Sequence, residues 1–126
     1  MLSEVYNQNY LEVIIMQNSH EFIYKYMTIF SIKNFSLYNK KYGWNKGDDF
    51  LKQFAKTLSD NLIDTLIFRI FGDDFVILSK KTIDLNDTIL KLNMLVNKHL
   101  LTYSRHALDL SKKEILSLND IEMIYT

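Results

Sequence analysis

The sequence predicts a mixed α/β (α+β) fold, in which a mostly antiparallel sheet is flanked by helices on one or both faces. Helical and strand-like apolar spacing alternates in the order helix, strand, helix, helix, hairpin, helix, strand. The first of these strands is apolar on both faces, as expected for a covered central strand. Two further apolar runs flank a Gly72-Asp73-Asp74 corner, which is typical of a β-hairpin. A ferredoxin-like split βαβ arrangement closes this order of elements naturally.

The elements before the hairpin follow from the spacing of apolar residues. The prediction gives a helix over residues 9–19, a strand over 22–32, a short helix over 34–42 and a longer helix over 48–62. Gly43 follows the short helix and is the expected C-terminal cap. The longer helix has an apolar face, because Phe50, Phe54 and Leu58 recur at helical spacing.

The hairpin strands are predicted over residues 66–71 and 75–79, followed by a helix over 85–101 and a strand over 101–110. A last helix is predicted from Lys112 onward, because Ser111 and Glu114 have the spacing of a capping box. In a split βαβ arrangement the first strand lies beside the hairpin. Residues 31–33 are therefore expected to approach the Asp73-Asp74 corner.

Composition excludes several classes of function. A length of 126 residues indicates a single domain, residues 1–126, with one substantial core. Lys and Arg together number 15, as do Asp and Glu, so the charge favours neither nucleic acid nor an anionic membrane as a partner. The chain has no cysteine, which excludes disulfides and thiolate chemistry. No membrane segment and no signal peptide are recognisable, so a cytoplasmic location is expected.

The paired carboxylates of the hairpin corner allow two interpretations. Carboxylates on a hairpin tip can hold Mg²⁺ beside a phosphate group. Asp73 and Asp74 can equally be the polar residues of an ordinary turn.

Three segments of the chain, in the correct order, resemble the GGDEF family of diguanylate cyclase domains. Residues 2–11 (LSEVYNQNYL) resemble the family's LTGLYNRRYL. Residues 30–48 (FSIKNFSLYNKKYGWNKGD) resemble its D-x-D-x-F-K-x-x-N-D-x-Y-G-H-x-x-G-D motif, and residues 69–75 (RIFGDDF) resemble R-Y-G-G-D-E-F. The match covers about the first 80 residues and then fades. The resemblance implies the palm-type sheet of this family and a chain that is a piece of a longer signalling protein.

The resemblance also implies a chemistry. The family condenses two GTP molecules into cyclic di-GMP, with one half-site on each protomer of a dimer. Its two metal ions are held by an aspartate at the end of the first strand and by the third signature residue; these positions are Ser31 and Asp73 here. The degenerate signature reads Phe71, Gly72, Asp73, Asp74, Phe75.

The positions that contact guanine in the family match Asn39 and Asp48, and Trp44 replaces the histidine after Tyr-Gly. The amide and the carboxylate have the hydrogen-bonding groups that guanine requires. Two alternatives are open: Asn39 is an ordinary exposed helix residue, and Asp48 is the N-terminal cap of the following helix.

Two departures from the family predict a domain without catalytic activity. Ser31 offers a neutral hydroxyl where a metal site needs a carboxylate. Phe71 replaces a glycine, so its ring either strains the backbone or fills nucleotide space. Mg²⁺ and GTP stay open as ligands, with Asp73 as the one matched metal ligand.

The function expected from the resemblance is a regulatory or dimerisation module of cyclic di-GMP signalling. Its partner would be an attached or separate sensor or phosphodiesterase domain, or a second copy of the chain. The family's inhibitory R-x-x-D motif has no arginine at residues 62–65, so cyclic di-GMP is not expected to bind there. An active diguanylate cyclase and an unrelated ferredoxin-like binding domain are the alternatives.

Overall fold

The computed structural model describes residues 4–126. Within this range the strands are β1 (Val5–Asn7), β2 (Tyr26–Lys33), β3 (Thr65–Ile70), β4 (Asp74–Ser79) and β5 (Thr102–Asp109). The helices are α1 (Gln8–Glu21), α2 (Phe35–Tyr42), α3 (Trp44–Asn61), α4 (Asn86–Lys98) and α5 (Leu118–Tyr125). None of the helices in the described range is both long enough and apolar enough to cross a bilayer.

The strands form one sheet in the order β1-β3-β4-β2-β5. β1 runs parallel to β3, and every other neighbouring pair is antiparallel. The predicted mixed, mostly antiparallel sheet is therefore confirmed. β2 pairs with β4 in a register that sets Ser31 opposite Asp74, so the predicted approach of residues 31–33 to the hairpin corner is also confirmed.

Helices cover both faces of the sheet. Side chains alternate between the two faces along each strand, so both faces carry apolar side chains that a helix must cover. Phe30 of β2 and Phe75 of β4 pack into a core with Phe54 of α3, and this core also receives residues of α2 and α4. Ile29 and Val76, their neighbours in sequence, point to the opposite face, where α1 and α5 complete a second core.

The central strand begins four residues later than predicted. Phe22 has a left-handed backbone (φ 48°) that ends α1. The side chain of Asn18 then binds the backbone of Tyr24 at both polar groups, at 2.7 and 3.0 Å. The prediction that the strand starts at residue 22 is wrong because this capping turn occupies the first positions of the apolar run.

The predicted start of α3 is wrong, and β1 is absent from the prediction. α3 begins at Trp44, immediately after Gly43, rather than at residue 48. Gly43 adopts φ 89°, a conformation that permits the two helices to follow one another directly. β1 is three residues long, which is too short for an alternating pattern to be recognised.

The last helix begins at Leu118, not at Lys112. Ser111 is part of a turn in which its hydroxyl donates to Asp109 Oδ1 at 2.6 Å, so the predicted capping box is wrong. Ser117 is the N-cap instead and accepts a hydrogen bond from the Asp120 N–H at 3.2 Å. The Asp120 carboxylate accepts in turn from the Leu116 N–H at 2.9 Å.

Replacing Ser117 with alanine is expected to lower the free energy of unfolding by about 1 kcal/mol, because α5 loses its capping oxygen. Urea unfolding at neutral pH measures the change. Ser111→Ala is the matched control and should change stability by less than about 0.5 kcal/mol, since its hydrogen bond is exposed. A larger effect of Ser111→Ala would contradict this assignment of the helix start.

Candidate functional site

The tip of the β3–β4 hairpin carries the degenerate signature. Phe71 lies in the left-handed region at φ 50°, and Gly72 follows at φ 87°. A side chain at such a φ costs on the order of 1 kcal/mol, so the strain expected at Phe71 is present. Two hydrogen bonds hold this conformation: the Phe71 N–H donates to Gln8 Oε1 at 2.8 Å, and Arg69 Nε donates to the Gly72 carbonyl at 2.6 Å.

Six of the residues singled out from the sequence line one pocket of about 260 Å³: Asn39, Trp44, Asp48, Phe71, Gly72 and Asp73. The pocket lies between the hairpin tip and the N-terminal parts of α2 and α3. Its apolar wall consists of Phe35, Leu51, Trp44 and the Phe71 ring. The pocket therefore combines aromatic side chains with several polar side chains, a composition typical of ligand-binding pockets.

The other signature residues do not reach this pocket. Phe75 is fully buried in the core and stacks on Phe54, with ring centroids 4.9 Å apart. Ser31 and Asp74 are also buried and point to the opposite face of the sheet, which α1 and α5 cover.

Asn39 is 7% exposed, and its Oδ1 atom has no hydrogen-bond partner. The alternative of an ordinary exposed helix residue is therefore wrong. Gly47 of α3 creates the space for this amide, because a Cβ atom built at Gly47 would lie 1.8 Å from Asn39 Oδ1. A buried carbonyl oxygen without a hydrogen-bond partner is costly to the folded state, so the packing of Asn39 against Gly47 is a feature that requires an explanation.

Asp48 lies in the second turn of α3, four residues after the helix begins, so it is not the N-terminal cap. Its side chain is 52% exposed and pairs with Lys52, one helical turn later, at 3.3 Å. Exposed pairs of this kind contribute about 0–1 kcal/mol, so a ligand can replace the lysine at little cost.

The two carboxylates of the corner have different surroundings. Burial and the adjacent Asp74 carboxylate raise the pKa of Asp73 to about 6. Asp74 is 6% exposed, and its Oδ2 atom accepts a hydrogen bond from the hydroxyl of Tyr125 in α5 at 2.7 Å. Burial raises the pKa of Asp74, while hydrogen bonds from Tyr125 and Ser31 act in the opposite direction.

Sequence reasoning missed Tyr125 altogether. It lies 51 residues from Asp74 in the chain, and no local pattern indicates that their side chains meet. A local signal exists for Gly47, because a glycine inside a helix suggests a close approach by another group.

A comparison with protein-family models matches residues 1–113 to the family described as "Diguanylate cyclase, GGDEF domain". The chain belongs to the GGDEF family.

Solved GGDEF structures have the same fold. The GGDEF-EAL segment of Vibrio cholerae LapD is 17% identical, with a TM-score of 0.65 over 82% of this chain and 26% of that one. A diguanylate cyclase/phosphodiesterase from Caldicellulosiruptor saccharolyticus is 17% identical, with a TM-score of 0.64 over 92% of this chain and 75% of that one. Diguanylate cyclase SiaD of Pseudomonas aeruginosa, solved with its activator SiaC, is 16% identical, with a TM-score of 0.57 over 80% of this chain and 45% of that one.

This GGDEF domain therefore spans about a quarter of the LapD chain and under half of the SiaD chain. At these identities the likeness shows the fold alone. A search of curated proteins gave no match.

The donor set of this GGDEF domain does not fit the pair of metal ions that the family holds. Ser31 supplies a hydroxyl in place of a carboxylate, and the Asp74 carboxylate is already engaged by hydrogen-bond donors. Across residues 4–126, no cluster of three or more His, Cys, Asp or Glu side chains is arranged to hold a metal ion. Asp73 alone is left as a candidate ligand.

Replacing Gly47 with alanine is expected to lower the free energy of unfolding by about 2 kcal/mol, because the new methyl group overlaps Asn39 Oδ1. The double variant Asn39→Ala/Gly47→Ala should regain most of this loss, since the overlapping amide is gone. Urea unfolding of the two single variants and the double variant measures the coupling. A double variant as unstable as Gly47→Ala would contradict the close approach of Asn39 and Gly47.

Proposed function

We propose that this GGDEF domain is a regulatory module of cyclic di-GMP signalling that binds a guanine nucleotide without turning it over. The observation that carries the proposal is that Asn39, whose Oδ1 atom is buried without a hydrogen-bond partner, lines the same pocket as Asp48. An amide carbonyl and a carboxylate can accept hydrogen bonds from the N–H groups along one edge of guanine. The aromatic wall of the pocket can stack on the ring.

Loss of turnover is proposed from Ser31 and Phe71. A serine at the end of β2 leaves too little negative charge for two closely spaced cations, and without them the attacking hydroxyl of a nucleotide is not activated. Phe71 adds a ring to the mouth of the pocket on the side of the hairpin tip. In this proposal Mg²⁺ is not required for the base to bind.

We also propose that the domain acts with a partner domain and that it is located in the cytoplasm, where guanine nucleotides are present. LapD joins GGDEF and EAL domains in one chain, and SiaD is bound by a separate activator. We propose that this domain likewise acts on an attached or separate sensor or phosphodiesterase domain, and that it pairs with a second copy of itself.

Isothermal titration calorimetry with GTP at millimolar concentration is expected to detect binding, in EDTA as well as in Mg²⁺, and no binding of ATP. Asn39→Ala and Asp48→Ala should each weaken the affinity about tenfold, the effect of losing one good hydrogen bond to the ligand. Asp49→Ala is the matched control, because Asp49 neighbours Asp48 but does not line the pocket. Absence of heat with GTP, GDP and GMP would rule out nucleotide binding.

Purified protein incubated with GTP and either Mg²⁺ or Mn²⁺ is expected to form no cyclic di-GMP, as measured by chromatography. The physical reason is the missing carboxylate at Ser31. Robust product formation would overturn the loss of turnover and favour the alternative of an active diguanylate cyclase, whatever the calorimetry shows.

A further inference from the structure

The surroundings of Asp74 carry a second inference, which does not depend on nucleotide binding. Asp74 and Ser31 lie opposite one another on the neighbouring strands β4 and β2, and both point to the face that α1 and α5 cover. Asp74 is 6% exposed and Ser31 is equally enclosed. A carboxylate at such a place needs either a cation or several hydrogen-bond donors to offset the loss of water.

Donors of this chain satisfy Asp74. The Tyr125 hydroxyl donates to Asp74 Oδ2 at 2.7 Å, and the nearby Ser31 hydroxyl and Ile32 backbone N–H act to lower the pKa of the carboxyl group. Lys33, at the end of the same strand, contributes a nearby positive charge. Hydrogen bonds to a charged acceptor are among the strong ones in proteins.

Ser31 and Tyr125 each bring a neutral hydroxyl group to the Asp74 carboxylate. A hydroxyl at residue 31 can donate a hydrogen bond to Asp74, whereas an ionised carboxylate at that place would be acceptor-only and would repel Asp74. The departure from the family at Ser31 therefore fits an arrangement in which no cation is needed at Asp74.

α5 has the packing to hold Tyr125 in place. Ile121 is fully buried in the core that α1, β3 and β4 share, and Tyr125 follows one turn later along the same helix. The N-terminal cap at Ser117 fixes the other end of the helix. The hydrogen bond to Asp74 thus ties the C-terminal end of α5 to the start of β4, next to the hairpin tip.

We propose that Asp74 anchors α5 through the hydroxyl of Tyr125, and that this hydroxyl and the hydroxyl of Ser31 take the place of a cation at this end of the sheet. We call this group of three side chains the hydroxyl lock. In the hydroxyl lock, the fourth signature residue, Asp74, has a structural role through its hydrogen bond with Tyr125 of the same chain.

Hydrogen exchange tests the anchor. Tyr125→Phe should speed the exchange of α5 amides about tenfold relative to the unchanged protein, because the helix loses its tie to Asp74. Tyr103→Phe is the matched control, since the Tyr103 hydroxyl donates to the neutral Asn93 Oδ1 at 2.6 Å, and it should leave α5 unchanged. Equal effects of the two variants on α5 would overturn the anchor.

Thermal unfolding with Mg²⁺ or Mn²⁺ tests the replacement of a cation, and it uses the unchanged protein. Neither ion at millimolar concentration should raise the unfolding temperature. The double variant Ser31→Asp/Tyr125→Phe places two carboxylates together without either hydroxyl, and Mn²⁺ should stabilise it measurably. A rise in the unfolding temperature of the unchanged protein with either ion that Asp74→Asn abolishes would overturn the proposal, as would a double variant that folds and is indifferent to Mn²⁺.

Discussion

The register between β2 and β4 is the constraint on which the rest of this molecule depends. It sets Ser31 opposite Asp74 and directs both toward the face covered by α1 and α5. Because side chains alternate along a strand, the same register directs Phe30 and Phe75 into the core beneath α2, α3 and α4. A slip of one residue would exchange the two sets and bury charge in the aromatic core.

This register also separates two carboxylates that are adjacent in sequence. Asp73 belongs to the turn and lines the pocket beside Asn39 and Asp48. Asp74 begins β4 and accepts a hydrogen bond from Tyr125 of α5, which packs on the other face of the sheet. A GGDEF domain with this division of its signature has a pocket with aromatic and polar lining residues on one side. On the other side are the hydroxyls of Tyr125 and of Ser31, which occupies one of the two positions where the family resemblance implies a metal ligand.

Gly47 and Phe71 show how single residues shape that pocket. The missing side chain at Gly47 leaves room for the Asn39 amide, which is buried without a partner for its oxygen. Phe71, in a left-handed conformation at the opposite wall, adds an exposed ring where the family has glycine. A glycine within a helix thus shapes the Asn39 side of the pocket, while the loss of a glycine at Phe71 alters the hairpin side.

The sequence by itself determined the order of the main elements, the hairpin and the GGDEF family, because apolar spacing and signature residues are local properties. It also indicated Asn39, Asp48 and Asp73 as candidates through their positions in family motifs. It misplaced the last helix, because Ser111 and Glu114 have the same cap spacing as the true Ser117 and Asp120 pair. Only the tertiary structure decided that Asn39 is buried, that Gly47 makes its space and that Tyr125 binds Asp74. Those contacts join residues of different elements, and their energies depend on packing that no local pattern contains.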